Sequence, residues 1–137
     1  MISRELARNL AAAGVRWTPA SGDAFCIDGP EFDDDVFTLS DMTIEAHEFD
    51  TGTILGFNGT TEWALDSVAL EAALWLPRED QLRALLGGAF RSLTLANGVY
   101  QVDIVLPDSV FSGLAPDAAE AYGFALLHLV ETATSHT

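Results

Sequence analysis

The stretch EFDDDVFTLSDMTIEAHEFD, residues 31 to 50, gathers the side chains of this sequence best suited to holding a cation or moving a proton. Asp33, Asp34 and Asp35 offer carboxylates to a Ca²⁺ or Mg²⁺ ion, which needs several oxygens converging at about 2.0–2.6 Å. Consecutive residues of an extended segment point to alternate sides, however, and the calcium-loop spacing that starts at Asp33 places Ile44 where a glutamate belongs. The cluster therefore reads as a solvated turn, and neither a metal nor a cofactor is expected. His47 lies between Glu45 and Glu48, close in sequence to Asp41 and Asp50, which is raw material for general-base catalysis or a metal site. The spacing matches neither H-E-x-x-H nor a two-histidine set, and His128 and His136 have no sequence reason to meet His47. A histidine in an acidic strand is the simpler reading. A small metal-dependent or acid–base hydrolase using His47 with Asp41, Glu45 or Glu48 is the alternative.

Other chemistries are excluded by what the sequence lacks. All six basic residues are arginines, so there is no lysine for a phosphate loop, a pyridoxal Schiff base or serine–lysine catalysis. No G-x-S-x-G or G-x-G-x-x-G occurs, and the single Cys26 sits in the apolar run AFCI, where thiols are usually inert packing. No catalytic residue is named from the sequence.

The charge is lopsided. No arginine lies between Trp17 and Pro77, whereas Asp23, Asp28, Glu31, Asp33, Asp34, Asp35, Asp41, Glu45, Glu48, Asp50, Glu62, Asp66 and Glu71 all do. These thirteen acids leave only −2 of the net −15 to the two ends. A field of that sign repels nucleic acid and anionic membrane and attracts basic protein surfaces. The composition thus points to a non-catalytic interaction or regulatory domain that engages a basic protein partner through Asp33, Asp34, Asp35, Asp41, Glu45, Glu48 and Asp50. Phe32 and Trp63 are the candidate aromatic anchors. Acids so placed could also imitate the phosphates of nucleic acid, which in duplex DNA recur about every 1.7 Å along the axis. A lysine-free, acid-rich surface equally suits a protein that must stay soluble in high salt.

The elements that must position these residues follow from periodicity. Ser3 caps a short amphipathic helix through Leu6, Leu10 and Ala13, with Gly14 at its left-handed end. Val15–Trp17 and AFCI read as short extended pieces; VFTLS, MTIEAHEF and TILGF read as an antiparallel meander with a parity slip at Ser40–Asp41. The stripe Leu65, Val68, Ala69 and Ala72 predicts a helix over 61–75, with Trp75 in the core. Pro77 starts another helix, stabilised by a Glu79–Arg83 pair and closed by Gly87–Gly88. Asn97–Gly98 centres a two-residue hairpin that pairs Ala96 with Val99, Leu95 with Tyr100, Thr94 with Gln101 and Leu93 with Val102. Pro116 and Asp117 open a last helix. The fold expected is α+β, a single domain over residues 1–137 with mainly antiparallel sheet against amphipathic helices. One cysteine, no targeting segment and no apolar run long enough for a bilayer imply a cytoplasmic location.

Trp75, Leu76, Pro77, Gln81 and Leu82 form a W-L-P-x-x-x-Q-L core, followed by YQVDIV and an Ala/Leu-rich helix. In this the chain resembles small bacterial proteins, chiefly actinobacterial, and short phage-associated proteins of unknown function. Some carry a pilus-assembly label, which implies at most an accessory role, since a motor ATPase needs the phosphate-loop lysine missing here. The resemblance speaks to fold and transfers no catalytic residue.

Overall fold

The computed structural model describes residues 1–27, 36–39, 44–49, 52–57, 67–69 and 73–135. Along the chain these form α1 (Arg4–Ala12), β1 (Ala24–Ile27), β2 (Phe37–Thr38), β3 (Ile44–Phe49), β4 (Gly52–Phe57), β5 (Ser67–Ala69), β6 (Ala73–Leu76), α2 (Glu79–Leu86), β7 (Phe90–Ala96), β8 (Val99–Val105), β9 (Val110–Ala115) and α3 (Ala118–Ser135). A 3-10 turn at Gly87–Ala89 joins α2 to β7. The described strands form three antiparallel sheets, ordered β2-β1-β6, β3-β4-β5 and β7-β8-β9, so the fold is α+β and antiparallel throughout. The chain divides into two compact units, residues 1–16 with 77–137 and residues 17–76.

In the unit formed by the two ends, the Ser3 Oγ accepts the Leu6 N–H at 3.1 Å and caps α1. At the other end, Val15 N–H reaches Leu10 O and Gly14 N–H reaches Ala11 O, with Gly14 at φ 108°, which is a complete Schellman closure. That closure uses the Val15 amide, and residues 15–17 form no strand, contrary to the sequence expectation. Pro77 precedes α2 rather than opening it; Arg78 is the N-cap, and its N–H donates to Gln81 Oε1 at 2.9 Å. Arg83 lies over the Phe90 ring at 4.5 Å rather than in the expected pair with Glu79.

The hairpin has the register that its turn dictates: Ala96 opposite Val99, Leu95 opposite Tyr100, Thr94 opposite Gln101 and Leu93 opposite Val102. Asn97 and Gly98 have φ of 55° and 77°, as a type I′ turn requires. A bulge at Arg91 interrupts β7. The inward face of this sheet contributes Val102 and Ile104, both fully buried, and α3 packs against β8 and β9 while also touching α1 and α2. Gly113 lets α3 approach closely: a Cβ there would collide with the Ala121 carbonyl oxygen. Tyr122, almost fully buried, packs its ring against Phe90 at 5.8 Å, and burial raises its hydroxyl above the ordinary tyrosine value. Leu95, next to the hairpin tip, is exposed.

In the unit of residues 17–76, β1 is buried at every position and pairs on one side with β2 and on the other with β6. The Phe25 ring packs at a tilt 5.3 Å from Trp17 and stacks 5.5 Å from Phe37. The predicted helix over 61–75 is overturned where that stretch is described, since 67–69 and 73–75 lie in strands β5 and β6. Leu74 and Leu76 alternate inward along β6 and leave Trp75 half-buried, and this period of two, satisfied by the ladder with AFCI, overrides the helical stripe. β3 and β4 form the predicted hairpin, Phe49 opposite Gly52. Among the described residues β2 pairs with β1 and β3 with β4, in different sheets, and the expected slip at Ser40–Asp41 lies outside the described residues.

Candidate functional site

The predicted acidic site falls mostly outside the described residues. Asp33, Asp34, Asp35, Asp41, Asp50 and the aromatic candidates Phe32 and Trp63 lie there. Glu45, His47 and Glu48 belong to β3, opposite Gly56, Ile54 and Thr53 of β4, and Glu45 and Glu48 occupy positions of opposite parity in the strand. Among the described residues no group of three histidine, cysteine or acidic side chains could hold a metal ion. Cys26 is fully buried in β1 and forms no disulfide.

One of the thirteen acids has a structural role instead. Asp23 is 3% exposed, and its Oδ2 accepts the Trp17 indole N–H at 2.8 Å and the Ala20 N–H at 3.0 Å. Its backbone carbonyl accepts from Leu39 N–H, and Leu39 O accepts from Gly22 N–H, so the loop before β1 is tied to the residue after β2. Asp23 therefore fixes a turn, and its carboxylate is held inward rather than presented at the surface.

Two features of the other unit were not singled out from the sequence. On the outward face of the β7-β8-β9 sheet, Asp103 accepts three side-chain hydrogen bonds: Ser112 Oγ at 2.6 Å, Gln101 Nε2 at 2.8 Å and Ser92 Oγ at 3.1 Å. These donors, Ser112 foremost, hold its carboxyl below the ordinary aspartate value. Sequence parity places Ser92, Gln101 and Asp103 together, but Ser112 joins them only through the β8–β9 register. The second feature is a groove between β9 and α3. There the His128 imidazole lies parallel to the Phe111 ring, 4.0 Å between centroids, beside Leu114, Phe124, Leu127 and Glu131. His128 stands half-exposed on the groove wall rather than in a helix core.

Asp117 starts α3: its Oδ1 accepts the Ala119 N–H and its Oδ2 the N-terminal ammonium at 2.9 Å, and the latter contact leads in lowering its carboxyl below the usual range. The Ser3 N–H donates to Glu120 Oε1 beside it. Among the described residues no helix is long and apolar enough to cross a membrane. No protein-family model, no curated protein and no solved structure matches the chain.

Proposed function

We propose that residues 17–76 form an anionic recognition module that docks a basic protein surface in a non-catalytic, accessory or regulatory role. One observation carries this reading: the compact unit has the same limits as the charge block. The unit ends at Trp17 and Leu76, and within it lie thirteen of the 21 acidic residues and neither an arginine nor a lysine. A unit that carries its anions without cations of its own projects a field that steers cationic partners. Asp33, Asp34, Asp35, Asp41, Glu45, Glu48 and Asp50 supply the charge, and Phe32 and Trp63 the apolar anchors. The partner carries a basic patch of the kind that binds nucleic acid, and the acids stand in for phosphates. The buried, reduced Cys26 fits action in the cytoplasm.

Capture from native lysate tests this reading. A partner held at about 0.05 M salt, and released at about 0.3 M or by the combined variant Asp33→Asn, Asp34→Asn, Asp35→Asn, supports it. A partner whose retention ignores both changes contradicts it.

A further inference from the structure

The outer edge of β9 is an unpaired ladder. The Leu106 N–H donates to Ser109 O at 2.8 Å and closes the β8–β9 turn with a hydrogen-bonded pair. Alternation along an antiparallel ladder then makes Ile104–Phe111, Val102–Gly113 and Tyr100–Ala115 the bonded pairs, so the N–H and C=O groups of Val110, Ser112 and Leu114 point away from β8. The Asn97–Gly98 hairpin gives the same phase independently, because its closing pair Ala96–Val99 is bonded and turns the backbone groups of Gln101 and Asp103 toward β7. Among the described residues no strand pairs with β9 on its outer side.

Edge strands are normally blunted by charge, proline or a bulge, and β7 at the opposite edge carries both Arg91 and the bulge there. β9, with the sequence VFSGLA, has neither charge nor proline, pairs without a register shift, and leaves Val110 75% and Leu114 55% exposed. Its outward groups, at positions 110, 112 and 114, are symmetric about Ser112. A two-fold axis through Ser112 would set Val110 against Leu114 of a second copy and Ser112 against its own counterpart. All of these are bonded pairs, so every outward N–H meets a C=O. Val110 and Leu114, the two exposed aliphatic residues of the strand, become cross-strand neighbours on one face. On the other face Phe111 falls opposite Gly113, the one position without a side chain, beside the groove of about 360 Å³ where Phe124 is 39% exposed.

Charge at the seam does not oppose this pairing. Residues 109–115 hold no ionisable side chain, and the unit that bears β9 has eight acids against six arginines, a net −2. Asp103, one strand in from Ser112, would lie three strand spacings from its counterpart, about 14 Å, which exceeds the screening length of about 8 Å at physiological salt. We propose that β9 pairs antiparallel with β9 of a second copy, joining two three-stranded sheets into one of six strands across a two-fold axis at Ser112. This interface belongs to the unit of residues 1–16 and 77–137 and stands independently of the acidic module.

The test is sedimentation of the full chain at about 0.15 M salt, across concentrations from about 1 µM to 1 mM. The expected result is a monomer–dimer equilibrium. Val110→Lys and Leu114→Glu, each at an exposed position, weaken the dimer about tenfold, because the two-fold repeats every lost pair. Mixing the two variants restores the dimer: the introduced cation and anion then face each other across one half of the seam, and Val110 still meets Leu114 in the other. Restoration on mixing also rules out a folding defect in either variant. A chain that stays monomeric throughout, a dimer indifferent to both variants, or variants that fail to pair when mixed would overturn the proposal.

Discussion

Asp23 and Asp103 are both held by neighbouring donors, yet one is buried and the other faces solvent, and substitutions should separate them. Asp23→Ala leaves the Trp17 indole N–H and the Ala20 amide without that acceptor inside a shielded turn. The expected cost is about 1–3 kcal/mol, read as a lower midpoint in urea, and an unchanged midpoint would show the turn to be incidental. For Asp103 the sign follows from its lowered carboxyl: the stabilisation is complete above the ordinary aspartate range and fades as pH falls through the lower value held when folded. Asp103→Asn should flatten the acid limb of stability against pH. Gly113→Ala drives a methyl into the Ala121 carbonyl and lies 3.1 Å from the Ala125 nitrogen, so it should cost about 1–3 kcal/mol by thermal melting. None of these three roles is visible in residue type alone. Nothing in the sequence tells Asp23 from the twelve other acids of the same block; its burial, at 3% exposed, shows only in the fold.

Elements whose geometry is set within a few residues were legible; those set by distant partners were not. Asn97–Gly98 fixes its hairpin register because only left-handed residues fit the turn, and Ser3 with Gly14 brackets α1 for the same local reason. Ser3→Ala should therefore cost about 1 kcal/mol, measured by chemical denaturation, and Ser3→Asp should restore most of it. The stretch 61–75 misleads because alanine and leucine satisfy periods of 3.6 and of two alike. What decides it is Leu74 facing Cys26 and Trp75 facing Phe25, partners almost fifty positions away whose pairing no local pattern announces. The groove beside β9 was hidden in the same way: Phe111 and His128 are 17 residues apart, and only the β9–α3 packing stacks them. The W-L-P-x-x-x-Q-L core, by contrast, resolves into structural duties, with Leu76 and Leu82 buried and Gln81 accepting the Arg78 amide.

Across the whole molecule the charge division and the structural division coincide. Thirteen acids without internal cations repel one another, so added KCl should raise the melting temperature by screening, and a melting temperature that falls with salt would contradict this. The lopsided charge is readable from composition; that residues 17–76 also fold as a compact unit is not, because β1 and β6 close that unit from its two ends through long-range pairing. The most direct measurement is amide hydrogen exchange of the full chain with and without the basic protein it captures. Slowed exchange concentrated within residues 17–76, and abolished when Asp33, Asp34 and Asp35 become asparagine, is the expected result. Protection that falls only on residues 77–135, or that persists after that neutralisation, would contradict the anionic module.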